Sequence, residues 1–360
     1  MIKNQPVERV SILAITKNGI SIGISLKNQF PTWKVFAPSK FSNNDQQIEW
    51  FDDSAATKVG ELFKTNDALI CIFSLGAVIR LVAPYMKDKK TDPAVVVIDD
   101  TAKYVISTLS GHLGGANQLT EEIAKALGAT AVITTAADVN KTIAVDLVGK
   151  EFGWEIDDDS TVTKVSAYMV NEEKVGIFQD AGEKDWWAPK RELPKNVFKY
   201  NSMKELEESD CKGYLIISDR VIENNYVLKN AVVYRPKSLV VGVGLHYDTT
   251  KDIIKEGLDF CMKKFKLNPK SIARFASIKK ETQTKGLQDL AKEMAIPIDY
   301  YEKEELAKII IPNPSETVQA FEGTSSVSEA AALKSSAGSL IVEKQKFPPN
   351  LTIAIARILR

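Results

Sequence analysis

Short apolar runs alternate with stretches whose apolar residues recur at helical spacing along most of this chain. Residues 9–15 (RVSILAI) and 19–26 (GISIGISL) alternate as two short strands do, and Val35 to Ala37 predicts a third. FSNNDQQIEW, 41–50, reads as a polar loop, and SAATKVGELFK, 54–64, as an amphipathic helix. DALICIFSLGAVIRLVAPY then predicts a buried strand, a glycine turn and a helix; PAVVVID (93–99) and YVISTL (104–109) are two more strands. A glycine loop leads into a helix from about Ala116 to Leu127 that stops at Gly128, and ATAVITTA (129–136) is a further strand.

Beyond DVNKTIAVDLVGKEFGW the pattern weakens. Residues 155–236 are more polar, with weak strands at KVGIFQD and YLIISD around a charged, proline-broken loop, EKDWWAPKRELPKN. From Lys237 the alternation returns: strand SLVVGVGL, a helix over DTTKDIIKEGLDFCMKKF with Thr249 and Asp252 spaced as a capping box, strand 272–278, helix 284–295, strand 296–301, helix 303–309, the turn PNPSE, helix 326–335 and a closing pair of strands. Strands alternating with helices imply mostly parallel sheets flanked by helices. The expected fold is α/β and multi-domain: an N-terminal α/β domain over 1–150, a small middle domain or structured linker over 151–236, and a separate C-terminal α/β domain over 237–360.

Composition narrows the function classes. Apolar residues at 44% and charged residues at 26% are those of a folded globular protein. Lys plus Arg and Asp plus Glu are 47 each, so no global positive field draws nucleic acid, and an anionic ligand has to be held by local groups. The three cysteines, Cys71, Cys211 and Cys261, are far apart and read as reduced packing residues. The run VSILAIT is too short for a secretion signal, and no run approaches the roughly 20 residues that span a bilayer, so a cytoplasmic protein without a membrane partner is expected. With two histidines, no H-E-x-x-H and no paired C-x-x-C, no catalytic metal is expected.

The densest candidate chemistry is the loop SGHLGGAN. Gly114, Gly115 and Ala116 open a helix whose first N–H groups attract negative charge, a carboxylate, a phosphate or a developing oxyanion. His112 suits general acid or base work, and a structural role is the competing reading. Gly111 and Asn117 flank it; Asn117 is also a favoured helix cap. Ser110 completes the group without the G-x-S-x-G elbow of an acyl-enzyme serine. The loop also lacks the spacing of a Walker A or dinucleotide fingerprint. A second glycine turn carries Ser74, Gly76 and Arg80, the arginine being either a carboxylate clamp or a solvent-facing helix residue. Asp99 and Asp100 end another strand, where one could orient His112 or activate water, or simply form a turn. In the third block Gly242, Gly244 and His246 sit in one strand-to-helix turn, Thr324 precedes a helix carrying Glu329, and Lys344 lies on a terminal strand where solvated charge is the ordinary reading.

PAVVVIDDTAKYVISTLSGHLGGANQLTEEIAKALGATAVITTAADV, together with SLGAVIRLVAP, resembles the N-terminal domain of the cobalt-precorrin-5A hydrolase family (CbiG) of anaerobic cobalamin biosynthesis. VVGVG, PNPSE, GTSSVSEAAAL and VEKQKF resemble its C-terminal domain, whereas LHYDTT follows the GxG turn where the family commonly has Cys and Arg, and Ala137 stands where Thr is usual. The resemblance implies a hydrolase acting on a cobalt-bound, ring-contracted tetrapyrrole: water opens a ring A δ-lactone, and the extruded bridge carbon leaves with its methyl group as acetaldehyde. It implies no cofactor beyond the cobalt carried by the substrate, and a corrinoid small molecule as partner, with a homodimer and transient contacts to other pathway enzymes left open. On that reading His112 is the acid or base, Asp99 or Asp100 assists it, the amides of Gly114, Gly115 and Ala116 hold an oxyanion or a peripheral carboxylate beside Asn117, and Arg80 and Lys344 pair with acetate and propionate arms. The alternatives are a non-catalytic carrier of tetrapyrrole or another anionic metabolite, and a chain in which only the first domain is catalytic.

Overall fold

The computed structural model describes residues 8–43, 45–88, 91–187, 192–280, 284–314 and 326–359. The chain forms two compact units, Met1–Leu147 and Val148–Arg360.

The first unit is built on a seven-stranded sheet in the order β3-β2-β1-β4-β5-β6-β7, from β1 (Val10–Ala14), β2 (Lys34–Pro38), β3 (Ile48–Phe51), β4 (Ala68–Ile72), β5 (Ala94–Ile98), β6 (Tyr104–Leu109) and β7 (Thr130–Val132). Its central strands are apolar on both faces because helices cover both. Ile12, Ile70 and Val96 join the residues of α1 (Lys17–Gln29) and α4 (Ala116–Leu127), while Leu13, Leu69, Cys71 and Val97 join those of α2 (Ala55–Thr65) and α3 (Leu75–Val82).

Three local readings change. GISIGISL is part of helix α1, not a strand: its apparent alternation conceals Gly19, Ile20, Gly23 and Leu26, the residues buried at helical spacing. The hydroxyl of Thr16 caps this helix by accepting from the Gly19 N–H at 3.0 Å. The end of the supposed polar loop 41–50 is strand β3, and Ala136 belongs not to a strand but to the short helix α5 (Ala136–Val139).

The decisive feature is the direction of β6. It pairs antiparallel with β5, Ile98 opposite Val105 and Val95 opposite Leu109, while the neighbouring pairs of the sheet are parallel. Five residues join β5 to β6, far too few for the crossover that a parallel pair needs. The loop after β6 therefore sits at the opposite end of the sheet from the carboxyl ends of β1, β2, β4 and β5. A six-residue strand at about 3.3 Å per residue separates the two ends.

The second unit carries two five-stranded sheets. The middle region, where sequence shows two weak strands, is also α/β, with order β10-β9-β11-β12-β8: β8 (Glu155–Ile156), β9 (Val175–Gln179), β10 (Val197–Tyr200), β11 (Gly213–Ile217) and β12 (Ala231–Arg235). The last sheet has order β15-β14-β13-β17-β16: β13 (Leu239–Leu245), β14 (Ile272–Ile278), β15 (Ile298–Tyr301), β16 (Ser339–Phe347) and β17 (Leu351–Arg357). The helix after β13 starts at Lys251 and is capped by Thr250 rather than Thr249, whose side chain is buried with its hydroxyl 3.4 Å from the Asn350 carbonyl. Ionic contacts tie the two sheets. The buried Arg235 guanidinium meets Asp157 at 2.7 Å, with Asn268 donating to the same carboxylate, and Arg357 grips the fully buried Asp219 at 2.8 and 2.5 Å.

Candidate active site

Chemistry in the first unit gathers at the carboxyl ends of β6 and β7. β6, α4 and β7 make a strand–helix–strand crossover, which sets the loop entering α4 beside the α5 segment that follows β7. The loop is folded back on its own carbonyls: the N–H groups of Gly115, Ala116 and Asn117 donate to His112, Ser110 and Gly111 at 3.1, 3.2 and 2.9 Å. Its glycines permit that fold. A Cβ on Gly114 would stand 2.4 Å from the Ser110 Cβ, one on Gly111 would stand 2.6 Å from Asn117 Oδ1, and Gly115 has φ 87°. The expectation that Gly115 and Ala116 offer amides to a ligand is thereby corrected, because the loop turns under the helix and uses them. Of that expected set, Gly114 keeps an N–H without a partner among the described residues.

The loop holds His112 between two carboxylates. Nε2 lies 3.0 Å from Asp138 Oδ2 and Nδ1 3.3 Å from Asp146 Oδ1. Both ring nitrogens can face carboxylates as donors only in the imidazolium form. The Asp146 hydrogen bond, against the opposing effect of burial and with help from Asp138, raises the His112 pKa above its ordinary value. The side chains differ in access: His112 is 13% exposed and Asp146 17%, but Asp138 is 43% exposed.

Asn117 is not the helix cap; Gly115 holds that position. The buried Asn117 amide instead ties the site together, with Nδ2 donating to Asp138 Oδ2 at 2.6 Å and to Thr135 Oγ1 at 2.9 Å, while Oδ1 accepts from Ser107 at 2.6 Å. Sequence reasoning missed Asp138, Asp146, Thr135 and Ser107. Ser107 lies on β6 itself, and the signal of the other three was available in TTAADVNKTIAVD, since a crossover from β6 to β7 brings whatever follows β7 next to the glycine loop.

Other expected residues lie elsewhere. Ser110 is buried and its hydroxyl donates to the Asp92 carbonyl at 3.1 Å, so it is packed as a loop anchor rather than as a nucleophile. Asp99 and Asp100 follow β5, at the other end of the sheet from His112, so neither is placed to orient its imidazole. Asp99 closes the turn into β6: despite burial, hydrogen bonds from Thr101 and from the Tyr104 N–H hold its carboxyl below the ordinary range. Asp100 accepts from Thr16 and Asn18. Ser74, Gly76 and Arg80 are exposed around the start of α3, again at that other end, and Arg80 donates back to the Gly76 carbonyl at 2.9 Å. A cleft of about 450 Å³ near the ends of β1 and β3, lined by Ile15, Lys40, Phe51 and Asp52 among others, contains none of the expected site residues. Lys344, in the second unit, is partly buried, its ammonium donating to the Asn313 carbonyl and its pKa lowered by burial against the pull of Glu329. Thr324 lies outside the described residues.

Family models match the chain in three consecutive parts: cobalamin synthesis G N-terminal over residues 57–138, cobalamin biosynthesis central region over 143–236, and cobalamin synthesis G C-terminus over 239–356. The chain belongs to the cobalamin synthesis G family. Within it, the chain is 41% identical to the cobalt-precorrin-5A hydrolase of Priestia megaterium over 97% of its own length and 94% of the relative's. It is 30% identical to the cobalt-precorrin-5A hydrolase of Salmonella typhimurium over 93% and 94%. A solved cobalamin biosynthesis protein G homolog from Sulfolobus solfataricus matches 99% of each chain at 22% identity with a TM-score of 0.37. Among the described residues no helix is long and apolar enough to cross a membrane.

Proposed function

We propose that this chain is a hydrolase of cobalamin biosynthesis that opens the ring A δ-lactone of cobalt-precorrin-5A and releases acetaldehyde. Relatives of nearly the same length that carry that name support the substrate. The observation that carries the chemistry is the His112 ring held between Asp138 and Asp146.

Lactone hydrolysis needs an activated water, and a donor for the oxygen on which negative charge develops. Loss of the bridge carbon then needs a base for the alcohol proton, while the conjugated macrocycle takes the electron pair. The Gly114 N–H, two residues along the same loop, is the donor, and His112 in its cationic form, both its N–H groups held by carboxylates, adds positive charge near the developing oxyanion. The proposed hydrolysis and aldehyde release need no oxidant or reductant, and the cobalt enters as part of the substrate. Three buried free cysteines fit a reducing cytoplasm.

The test is acetaldehyde release from purified cobalt-precorrin-5A, read by a coupled aldehyde assay. Wild-type protein should produce one acetaldehyde per lactone opened. Tight binding of the corrinoid with no aldehyde and no lactone opening would instead identify a carrier.

A further inference from the structure

The clamp around His112 is not symmetric. Asp138 Oδ2 accepts two hydrogen bonds, from His112 and from Asn117, whereas Oδ1 accepts none among the described residues. Asp138 is also the most exposed of the three side chains, and it projects from a single helical turn beside Val139, itself 62% exposed. His112 has no ring nitrogen left to accept a proton, and Asp146 is enclosed behind it.

We propose that Asp138 is the catalytic base of this site, and that Asn117 and Asp146 are positioning residues. The inference rests on the hydrolase reading above. Asn117, pinned by Ser107 and Thr135, fixes Oδ2 and so turns Oδ1 toward water and substrate. Asp146 fixes the imidazole through Nδ1, leaving the Nε2 proton directed at the Asp138 side of the site.

The steps balance. A water proton passes to Asp138 Oδ1 as the water oxygen bonds to the lactone carbonyl carbon, and the carbonyl π pair moves onto its oxygen, beside the His112 cation. Collapse breaks the ring C–O bond, and the departing alkoxide takes the proton back from Asp138. The same carboxylate next removes that alcohol proton; the bond between the bridge carbon and the macrocycle breaks, its pair enters the conjugated ring, and acetaldehyde forms. Protonation of the macrocycle returns Asp138 to its carboxylate. One water enters and one acetaldehyde leaves, with no oxidant or reductant.

The experiment uses the full-length protein with cobalt-precorrin-5A. Asp138→Asn should lower kcat by about 100-fold or more while the substrate Kd stays near the wild-type value. Asp138→Ala should regain measurable turnover with added formate, a rescue that a purely structural aspartate would not show. Asp146→Asn should shift the imidazole titration of His112, followed by NMR, to lower pH, and Asn117→Ala should reduce kcat more than it changes KM. Near-normal kcat in Asp138→Asn, or absence of formate rescue in a folded Asp138→Ala whose His112 signal is intact, overturns the assignment. If wild-type protein releases no acetaldehyde, it is the hydrolase reading that fails, and the NMR titration still reports the clamp.

Discussion

At the residue scale the site is governed by one cation between two anions. Because the folded-state pKa of His112 is raised, the stabilisation from its carboxylate partners is complete below the ordinary value of 6.5 and fades as pH rises through the raised value. The stability difference between wild type and His112→Gln should accordingly shrink on the alkaline side of neutrality, as urea melts at several pH values would reveal; a difference that grows there contradicts the clamp. The same substitution should slow acetaldehyde release by about 100-fold, and a variant with near-normal turnover removes His112 from the chemistry. Gly114 gives a second test. A methyl group 2.4 Å from the Ser110 Cβ overpacks the loop, so Gly114→Ala should cost about 1–3 kcal/mol, measured from the denaturation midpoint, and should loosen the histidine. Glycine richness in the loop was plain in the sequence, but its purpose was not. The residues that crowd Gly111 and Gly114 are Asn117 and Ser110, close in sequence, yet only the folded turn shows that they touch.

At the element scale, strand direction decides which residues can cooperate. The sequence located β5 and β6 almost to the residue, and the short Asp99–Lys103 link already required them to be antiparallel. Treating both as members of one parallel set placed Asp99, Asp100 and Arg80 with His112, whereas they lie at opposite ends of the sheet. Asp100→Asn should therefore leave acetaldehyde release near the wild-type rate, although it replaces one of the two oxygens that accept from Thr16 and Asn18 with an NH2 group. A loss as deep as that of Asp138→Asn would show that the two ends act together. Helix α4 was legible from end to end, since its apolar stripe faces the sheet and Gly128 ends it with φ 67°. Helix α1 was not, because Ile20, Ile22 and Ile24 mimic a strand until the buried glycines reveal which face packs.

At the scale of the whole molecule, a buried carboxylate joins the two sheets of the second unit, Asp219 after β11 being held by Arg357 of β17. Arg357 leaves Asp219 uncompensated if truncated, and removal of one partner from a buried pair costs about 3–5 kcal/mol. Arg357→Ala should lower the stability of that unit by such an amount in chemical denaturation, and cutting the chain near residue 236 should destabilise the middle sheet for the same reason, with Asp219 and Asp157 losing partners at once. Local pattern alone, carried by apolar runs and helical periodicity, determined the α/β class, most of the strands and helices of the outer regions, and the loop on which the chemistry is built. Strands β8, β10 and β12 of the middle sheet escaped that reading because their runs are short and gain their meaning only when paired. Tertiary structure decided the partners of His112. Asp138 and Asp146 are 26 and 34 residues away along the chain, and hydrogen bonds across such separations follow from the crossover that closes β6 onto β7, a constraint no local pattern contains.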